Sequence, residues 1–257
     1  GQQSLIGLAG YTLAVMTAYY SLPYWAAISV GAVLAALLAL GLSLIFFRMR
    51  GMYFAVATWI TAEALKTIFT SWGFVKKGAG MTVKLRPYPS TTEIFILALS
   101  LAIAATVLVY FLLRSRTGLG LSAMGNDADA ASSVGVNIFK SKLICFVLSG
   151  AVTGIAGVIF YMNKGSIFPD GGFGIDWTVS LVFIVIIGGV GTAAGPIVGS
   201  VIYVMLYEFL SKYPGWSNVI LGIIAIVVIV VMPDGIIGTL QKKFHFEIMS
   251  LRRHAPD

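Results

Sequence analysis

Residues 24–47 form a run of about 24 positions without a charge, and Arg48 and Arg50 follow at once. As a helix rising 1.5 Å per residue, the run would reach about 36 Å, more than the ~30 Å hydrocarbon core of a bilayer. A segment of that kind commits the chain to helices in lipid, where every backbone N–H and C=O must be satisfied within its own element. Further apolar runs cover 52–70, 94–113, 143–161, 177–187, 197–210 and 216–232. An earlier one, 5–20, is interrupted by Gly7 and Gly10 and reads as a short or tilted span, or as the second half of one begun upstream. Only 11% of residues are charged, against ~25% in soluble domains. The predicted fold is therefore all-α: a polytopic transmembrane helical bundle occupying 1–240, with short broken helices and a polar loop at 114–142.

Charge sets the expected topology. The net charge of +7 is carried by residues flanking the apolar runs, so membrane topology explains it better than a nucleic-acid-binding face would. Arg48 and Arg50, Arg114 and Arg116, Lys140 and Lys142, and the tail all belong on the cytoplasmic side by the positive-inside bias. The 71–92 loop, with Lys76, Lys77, Lys84 and Arg86, then falls on the opposite side and is the one exception. The tail, 241–257, mixes Lys242, Lys243, Arg252 and Arg253 with Phe244, Phe246 and Leu251, a pattern expected of a basic interfacial helix. Cys145 is the single cysteine, so no intramolecular disulfide forms and a buried thiol is expected. No basic segment precedes an apolar stretch at the start, so no signal peptide is expected.

Three places carry polar or conformational signals that apolar packing does not require. Glu63 and Lys66 lie three apart in the 52–70 run, on one helix face where they can pair. An ionisable group at membrane depth is either a structural ion pair or part of a solute or proton path. The second place is the long polar interval 119–142. Asn126 is expected to cap a helix, with Asp127 and Asp129 at the positive end of its dipole and Asp129 in the capping-box position. Ala128, Ala130 and Ala131 favour helix, and Gly135 suits a left-handed terminus. The result would be about two turns with a small-residue face, either a plain connector or a docking helix for a soluble partner. The third is the cluster Gly188, Gly189, Gly191 and Gly195, followed by Pro196, between two runs too short to cross alone. It reads either as a tight turn or as two broken helices meeting along a translocation path. A separate spacing, Gly150, Gly154 and Gly157, predicts a seam of close helix contact.

Enzymatic signatures are missing. The chain has no G-x-x-x-x-G-K-[ST] and no H-E-x-x-H, and both histidines, His245 and His254, sit in the tail. Neither a metal site nor a cofactor is expected.

Four patches together resemble the permease subunit of branched-chain amino-acid ABC importers, LivM type. Gly1-Gln2-Gln3-Ser4-Leu5 and then Gly10-Tyr11-Thr12 resemble that family's G-Q-x-S-L-G and G-A-Y-T. Arg48-Met49-Arg50-Gly51-Met52-Tyr53-Phe54-Ala55, with Glu63 beyond, is similar to R-x-R-G-x-Y-F-A and its downstream glutamate. Residues 125–136 resemble the loop G-x-N-x-E-A-A-x-x-x-G-I, with Asp129 where the family often has Glu. Phe168-Pro169, the glycine cluster ending in Gly195-Pro196, and Pro233-x-Gly235 complete the order. The chain departs from the family in three ways. It looks shortened at its start, its 71–92 loop lacks a clean T-G-G-x-x-G, and Ser132 replaces a common basic residue.

The resemblance implies a multi-pass protein of a prokaryotic inner membrane, with the loop and tail cytoplasmic. Its implied partners are two ABC ATPase subunits, a second homologous permease and an extracytoplasmic substrate-binding protein. The 126–134 helix would be the coupling helix, with Asn126, Asp127, Asp129, Ala130, Ala131 and Gly135 at the ATPase interface. Glu63, Lys66, Gly188, Gly189, Gly191 and Gly195 would serve the path or helix packing. ATP hydrolysis would belong to the partners, and the cargo would be leucine, isoleucine, valine or a related solute. The competing readings are a self-contained channel or secondary transporter built on Glu63 and Lys66, and a membrane scaffold without a path.

Overall fold

A computed structural model describes residues 1–49, 51–126, 128–133, 135–192, 194–210, 217–232 and 235–244. Most of the predicted interfacial tail thus lies outside the described residues. The chain divides into two compact units, Gly1–Ile175 and Asp176–Asp257. The first contains α1 (Gln2–Tyr19), α2 (Tyr24–Phe46), α3 (Met52–Ser71), α4 (Thr91–Arg114), α5 (Arg116–Asn126), α6 (Ala128–Ser133), α7 (Ile138–Lys164) and α8 (Pro169–Phe173). The second contains α9 (Asp176–Gly188), α10 (Gly195–Leu210), α11 (Ser217–Val231) and α12 (Gly235–Phe244). Among the described residues, four helical stretches are long and apolar enough to cross a membrane: Tyr24–Phe46, Thr91–Arg114, Ile138–Lys164 and Pro169–Gly188. The architecture is the all-α polytopic bundle that the apolar runs predict.

The first unit is built around α1. Leu5, Ala9, Tyr11, Leu13 and Ala14 are almost wholly buried, and so are the polar Gln3, Ser4 and Thr17. The glycines at 7 and 10 do not break this helix. They make room for neighbouring rings, since a Cβ at Gly7 would strike Phe173 and one at Gly10 would strike Tyr161. Between α2 and α7 the predicted seam is present. A Cβ on Gly154 would lie 2.6 Å from Ala35 Cβ and 2.8 Å from the Gly31 carbonyl oxygen. Gly150 meets Ala39 in the same way, and Gly157 lies against the backbone of Ile6 on α1. The buried positions of α2 include Gly31, Ala35, Ala39 and Ser43, a stripe repeating every four residues. Lipid offers no hydrophobic drive for helix association, so close van der Waals contact through small residues has to supply it. Gln2 adds polar links from α1 to α7: its amide donates to Ser149 Oγ at 3.4 Å and its carbonyl accepts from Thr153 Oγ1 at 3.1 Å.

The 71–92 loop is a fitted cap on one end of this unit. A single 3-10 turn, Gly73–Val75, precedes β1 (Met81–Thr82), which pairs antiparallel with β2 (Ser166–Ile167), Met81 opposite Ile167. The Val83 N–H donates to the Gly165 carbonyl at 2.9 Å, and the Lys84 N–H donates to Thr17 Oγ1 at 3.2 Å. Met81, Val83 and Leu85 are buried on alternate positions, as a pleated segment requires, while Lys76, Lys77, Lys84 and Arg86 are exposed. The loop ends in a capping box on α4. Glu93 N–H donates to Ser90 Oγ at 3.2 Å and Ser90 N–H donates to Glu93 Oε2 at 2.8 Å.

Candidate functional site

The charges of α3, Glu63 and Lys66, form a three-member cluster with Asp170 of α8. Lys66 Nζ lies 2.5 Å from Glu63 Oε1, the pairing expected from their spacing, and 3.6 Å from Asp170 Oδ1 on α8. The third partner was not legible in the sequence, because a contact across more than a hundred residues leaves no periodic trace. Exposure rises across the cluster, from 25% for the Lys66 side chain through 50% for Glu63 to 93% for Asp170. Phe69, one turn beyond Lys66, packs at a tilt against Tyr11 at 4.6 Å and Phe173 at 5.0 Å between ring centroids. These rings join α1, α3 and α8. Among the described residues no group of three or more His, Cys, Asp or Glu could hold a metal ion.

In the polar interval between α4 and α7 the described residues on either side of 127 are helical, as α5 and α6. Ser115 makes the sharp bend: its hydroxyl donates to the Leu112 carbonyl at 2.6 Å and accepts from the Gly118 N–H at 3.2 Å. A Cβ on Gly118 would collide with the Leu112 and Leu113 carbonyls. A helix opened by this Ser115 cap runs on through Asn126, so Asn126 lies within a helix already begun and not at the N-cap position predicted for it. Its capping preference is local and loses to a helix already propagating from Arg116. Asp127 lies outside the described residues, while Asp129, Ala130 and Ala131 fall within α6. That helix ends in a Schellman motif. Gly135, at φ +87°, donates to the Ser132 carbonyl at 3.0 Å, and the Val136 N–H donates to the Ala131 carbonyl at 3.1 Å. Ala131 is only 3% exposed, so it anchors α6 to its own unit, whereas Ser132, Ser133 and Gly135 are exposed. Asn137 then caps α7 by accepting from the Lys140 N–H at 2.9 Å. Both ends of the α5–α6 block are thus tied to long apolar helices.

In the second unit the glycine cluster joins α9 to α10. Gly189 (φ +118°) and Gly191 (φ +82°) supply the turn, closed by Thr192 Oγ1 donating to the Gly189 carbonyl at 2.9 Å. Gly188 and Gly195 instead allow backbone contact, since a Cβ at Gly188 would collide with the Gly195 carbonyl. Gly199, which the sequence reading passed over, and Gly235, named there only within the resemblance, do the same. Gly199 lies against the Ile184 carbonyl, and Gly235 at the start of α12 lies against Gly189, where its Cβ would be 2.5 Å from the amide nitrogen. Phe183, Ile187, Leu210 and Leu221 form the core that these contacts bring together.

Comparison with known proteins gives consistent matches. A family model described as branched-chain amino acid transport system / permease component matches residues 1–232. The high-affinity branched-chain amino acid transport system permease protein LivM of Escherichia coli is 23% identical over 92% of this chain and 63% of its own length. The corresponding LivH protein is 29% identical over 53% of this chain and 44% of its own length. The xylose transport system permease protein XylH of Haemophilus influenzae is 30% identical over 42% of this chain and 30% of its own length. The chain therefore spans less than two thirds of the length of the LivM relative. No solved structure matches.

Proposed function

This chain belongs to the family of branched-chain amino acid transport permease components, and on that premise we propose that it is the permease subunit of an ATP-driven importer. It forms a path for branched-chain or related amino acids across a bacterial inner membrane and contains no ATPase of its own. The match to LivM, over 92% of the chain, favours an amino acid over a sugar, because the xylose permease matches over 42%. Two ATPase subunits, a second permease and an extracytoplasmic binding protein are its partners. The α5–α6 block and the tail face the cytoplasm, where the Arg48, Arg114 and Lys140 clusters belong.

The observation that supports this reading best is the α5–α6 block itself. It is short, capped at Ser115 and Asn137, and tied directly to α4 and α7. A compact element bound to two spans at once converts closure of docked ATPases into a tilt of the bundle, and a self-contained transporter has no use for one. Asn126, Asp127, Asp129, Ala130 and Gly135 form or flank the docking face, with buried Ala131 as its anchor. The Gly188–Gly195 elbow and the Glu63–Lys66 pair serve packing around the path.

The test uses the full-length subunit with its partners in proteoliposomes. Ala130→Arg should leave insertion and assembly of the membrane subunits intact while abolishing ATP-driven leucine uptake. Near-normal uptake would remove the coupling role. Purification from native membranes in mild detergent should recover two P-loop ATPases and a second permease, and reproducible recovery of the chain alone would favour the self-contained transporter.

A further inference from the structure

A groove of about 670 Å³ runs between α4 and α7, apart from the charged cluster on α3. Its lining among the described residues comes from those two helices alone, from Thr91 to Ala105 on α4 and from Val152 to Asn163 on α7. At 1.5 Å per residue these stretches cover roughly 21 Å and roughly 16 Å. That is little more than one leaflet's half of the ~30 Å hydrocarbon core. Small residues make room along it, Ala98, Ala102 and Ala105 on α4 and Ala156 on α7, while Phe95 and Phe160 stand nearer the Thr91 end.

Polar groups gather at one end only. Thr91 opens α4, Asn163 lies in the last turn of α7, and both line the groove. Lys164 follows, with its Nζ 5.9 Å from the centroid of the Phe160 ring, so its ammonium stands over the groove wall. The 71–92 loop brings a second cation to this end. The Tyr88 hydroxyl donates to the Met162 carbonyl, and the Val83 N–H donates to the Gly165 carbonyl at 2.9 Å, which lays residues 83–88 along the end of α7. Arg86 is exposed within that stretch. Neither Lys164 nor Arg86 pairs with a carboxylate among the described residues. Glu93, in the first turn of α4, has its carboxylate turned to the Ser90 N–H in the capping box. Long basic side chains at the end of a span lay their stems on apolar surface and hold their charge at headgroup level.

We propose that this groove holds one anionic phospholipid of the leaflet on the side of the 71–92 loop, with an acyl chain along the alanines and the headgroup against Lys164, Arg86 and Asn163. Depth and charge together select that occupant. A partner helix packs along a whole span, whereas the groove ends at Ala105 with the last turns of α4 still to run. The two cations at its mouth answer a phosphate, and a choline group on the same lipid would meet them unfavourably. Arg86 belongs to the one basic loop that the positive-inside bias leaves on the wrong side, and a bound anionic headgroup gives that charge a use. The proposal requires α4 and α7 to cross a membrane and requires nothing of the cargo.

The test is native mass spectrometry of the purified full-length protein with any subunits that copurify, stripped of lipid and titrated with phosphatidylglycerol or phosphatidylcholine of matched chains. Wild type should bind one phosphatidylglycerol at least tenfold more tightly than phosphatidylcholine, since each cation near the headgroup is worth about fivefold. Lys164→Gln combined with Arg86→Gln should bring that preference within twofold. Ala98→Phe, which fills the groove, should weaken binding of both lipids at least fivefold, while Ala104→Phe, at an exposed position of α4 outside the groove, should leave it unchanged. Equal affinity of wild type for the two lipids, a preference that survives loss of both cations, or full binding by Ala98→Phe overturns the proposal. Should Ala98→Phe fail to fold, phosphatidylglycerol with a photoreactive acyl chain should label residues 98–105 of the wild type in membranes. Absence of label there, as when a partner helix or another segment of the chain covers the groove, also overturns it.

Discussion

Gly154 allows the packing of the first unit to be tested with a sign that solvent-based intuition gets wrong. In an isolated helix, Gly→Ala gains up to about 1 kcal/mol, because alanine is the better helix former. At Gly154 the added methyl would sit 2.6 Å from Ala35 Cβ and 2.8 Å from the Gly31 carbonyl oxygen, with Ala32 Cα at 3.3 Å. Carbon atoms in contact rest near 3.5–4.0 Å, so α2 and α7 must separate by roughly 1 Å. Two of the three obstacles are backbone atoms and cannot rotate away. Overpacking of that kind typically costs about 1–3 kcal/mol, which cancels the propensity gain or exceeds it. Gly154→Ala should therefore lower stability by about 0–2 kcal/mol, and Gly154→Val by more. Gly41, on α2, is the control, because nothing lies within 4 Å of its missing Cβ. Gly41→Ala should be neutral or stabilising by up to about 1 kcal/mol. Thermal denaturation of the purified protein in one detergent ranks the variants. If Gly154→Ala melts higher than wild type, or if Gly41→Ala melts lower than Gly154→Ala, α2 and α7 do not pack as described.

The remaining predictions concern other elements. Ser90→Ala removes the acceptor of the α4 capping box and should cost about 1 kcal/mol, read as a fall in melting temperature of roughly 2–4 °C; an unchanged transition would mean that the box contributes nothing. Glu63→Gln, which loses the 2.5 Å partner of Lys66, should reduce stability more than Asp170→Asn, which loses the partner at 3.6 Å. Both effects should stay within about 1 kcal/mol because the carboxylates are half exposed or more, and the reverse order in paired melts would contradict the geometry. In the second unit, Gly199→Ala drives a methyl into the Ile184 carbonyl, whereas Gly222→Ala meets open space. The first should lose yield and melting temperature relative to the second, and equal behaviour would remove the α9–α10 contact.

What was legible in the sequence was what repeats or what a single residue dictates by its own backbone. The apolar runs gave the helices. The Gly150, Gly154 and Gly157 spacing gave a face, and Gly135 gave a helix terminus, because few other residues tolerate φ +87°. Glu63 and Lys66 were predictable as a pair because they share one helix. Asn126 was misread because an N-cap signal is judged against its immediate neighbours. The deciding residue was Ser115, eleven positions earlier, whose bend opens α5 and leaves Asn126 inside a helix already begun. The true capping box was written as Ser90-Thr91-Thr92-Glu93 and could have been found by its spacing. Asp170 and Gly235 could not, since each acts on an element remote in the chain and nothing local marks the partner.

The same limit explains why α1, the least promising apolar run, became the centre. The α4 window has a mean hydropathy of 2.6 and none of it is buried, whereas α1 and α3, 18 and 20 residues long, are not among the four span-forming stretches. In water, burial selects large apolar side chains. In lipid it selects small residues and those polar groups that lipid cannot tolerate, because a leucine loses nothing by facing an acyl chain. High hydropathy therefore does not mark burial in this unit: α4 is exposed along its apolar window, whereas Gln3, Ser4 and Thr17 of α1 are buried. Ser4 and Tyr11 of α1, and Thr58, Glu63 and Lys66 of α3, are all on helices that are not among the four span-forming stretches. A polar solute crossing the first unit needs polar groups at membrane depth that are shielded from lipid. Among the described residues, the buried hydroxyls without a partner, Ser4 and Tyr11, lie on α1, and the Lys66 cluster lies on α3. If cargo passes through this unit, these two helices are where substitutions should change which cargo passes, whereas changes at the Gly188–Gly195 elbow should alter only how much protein folds.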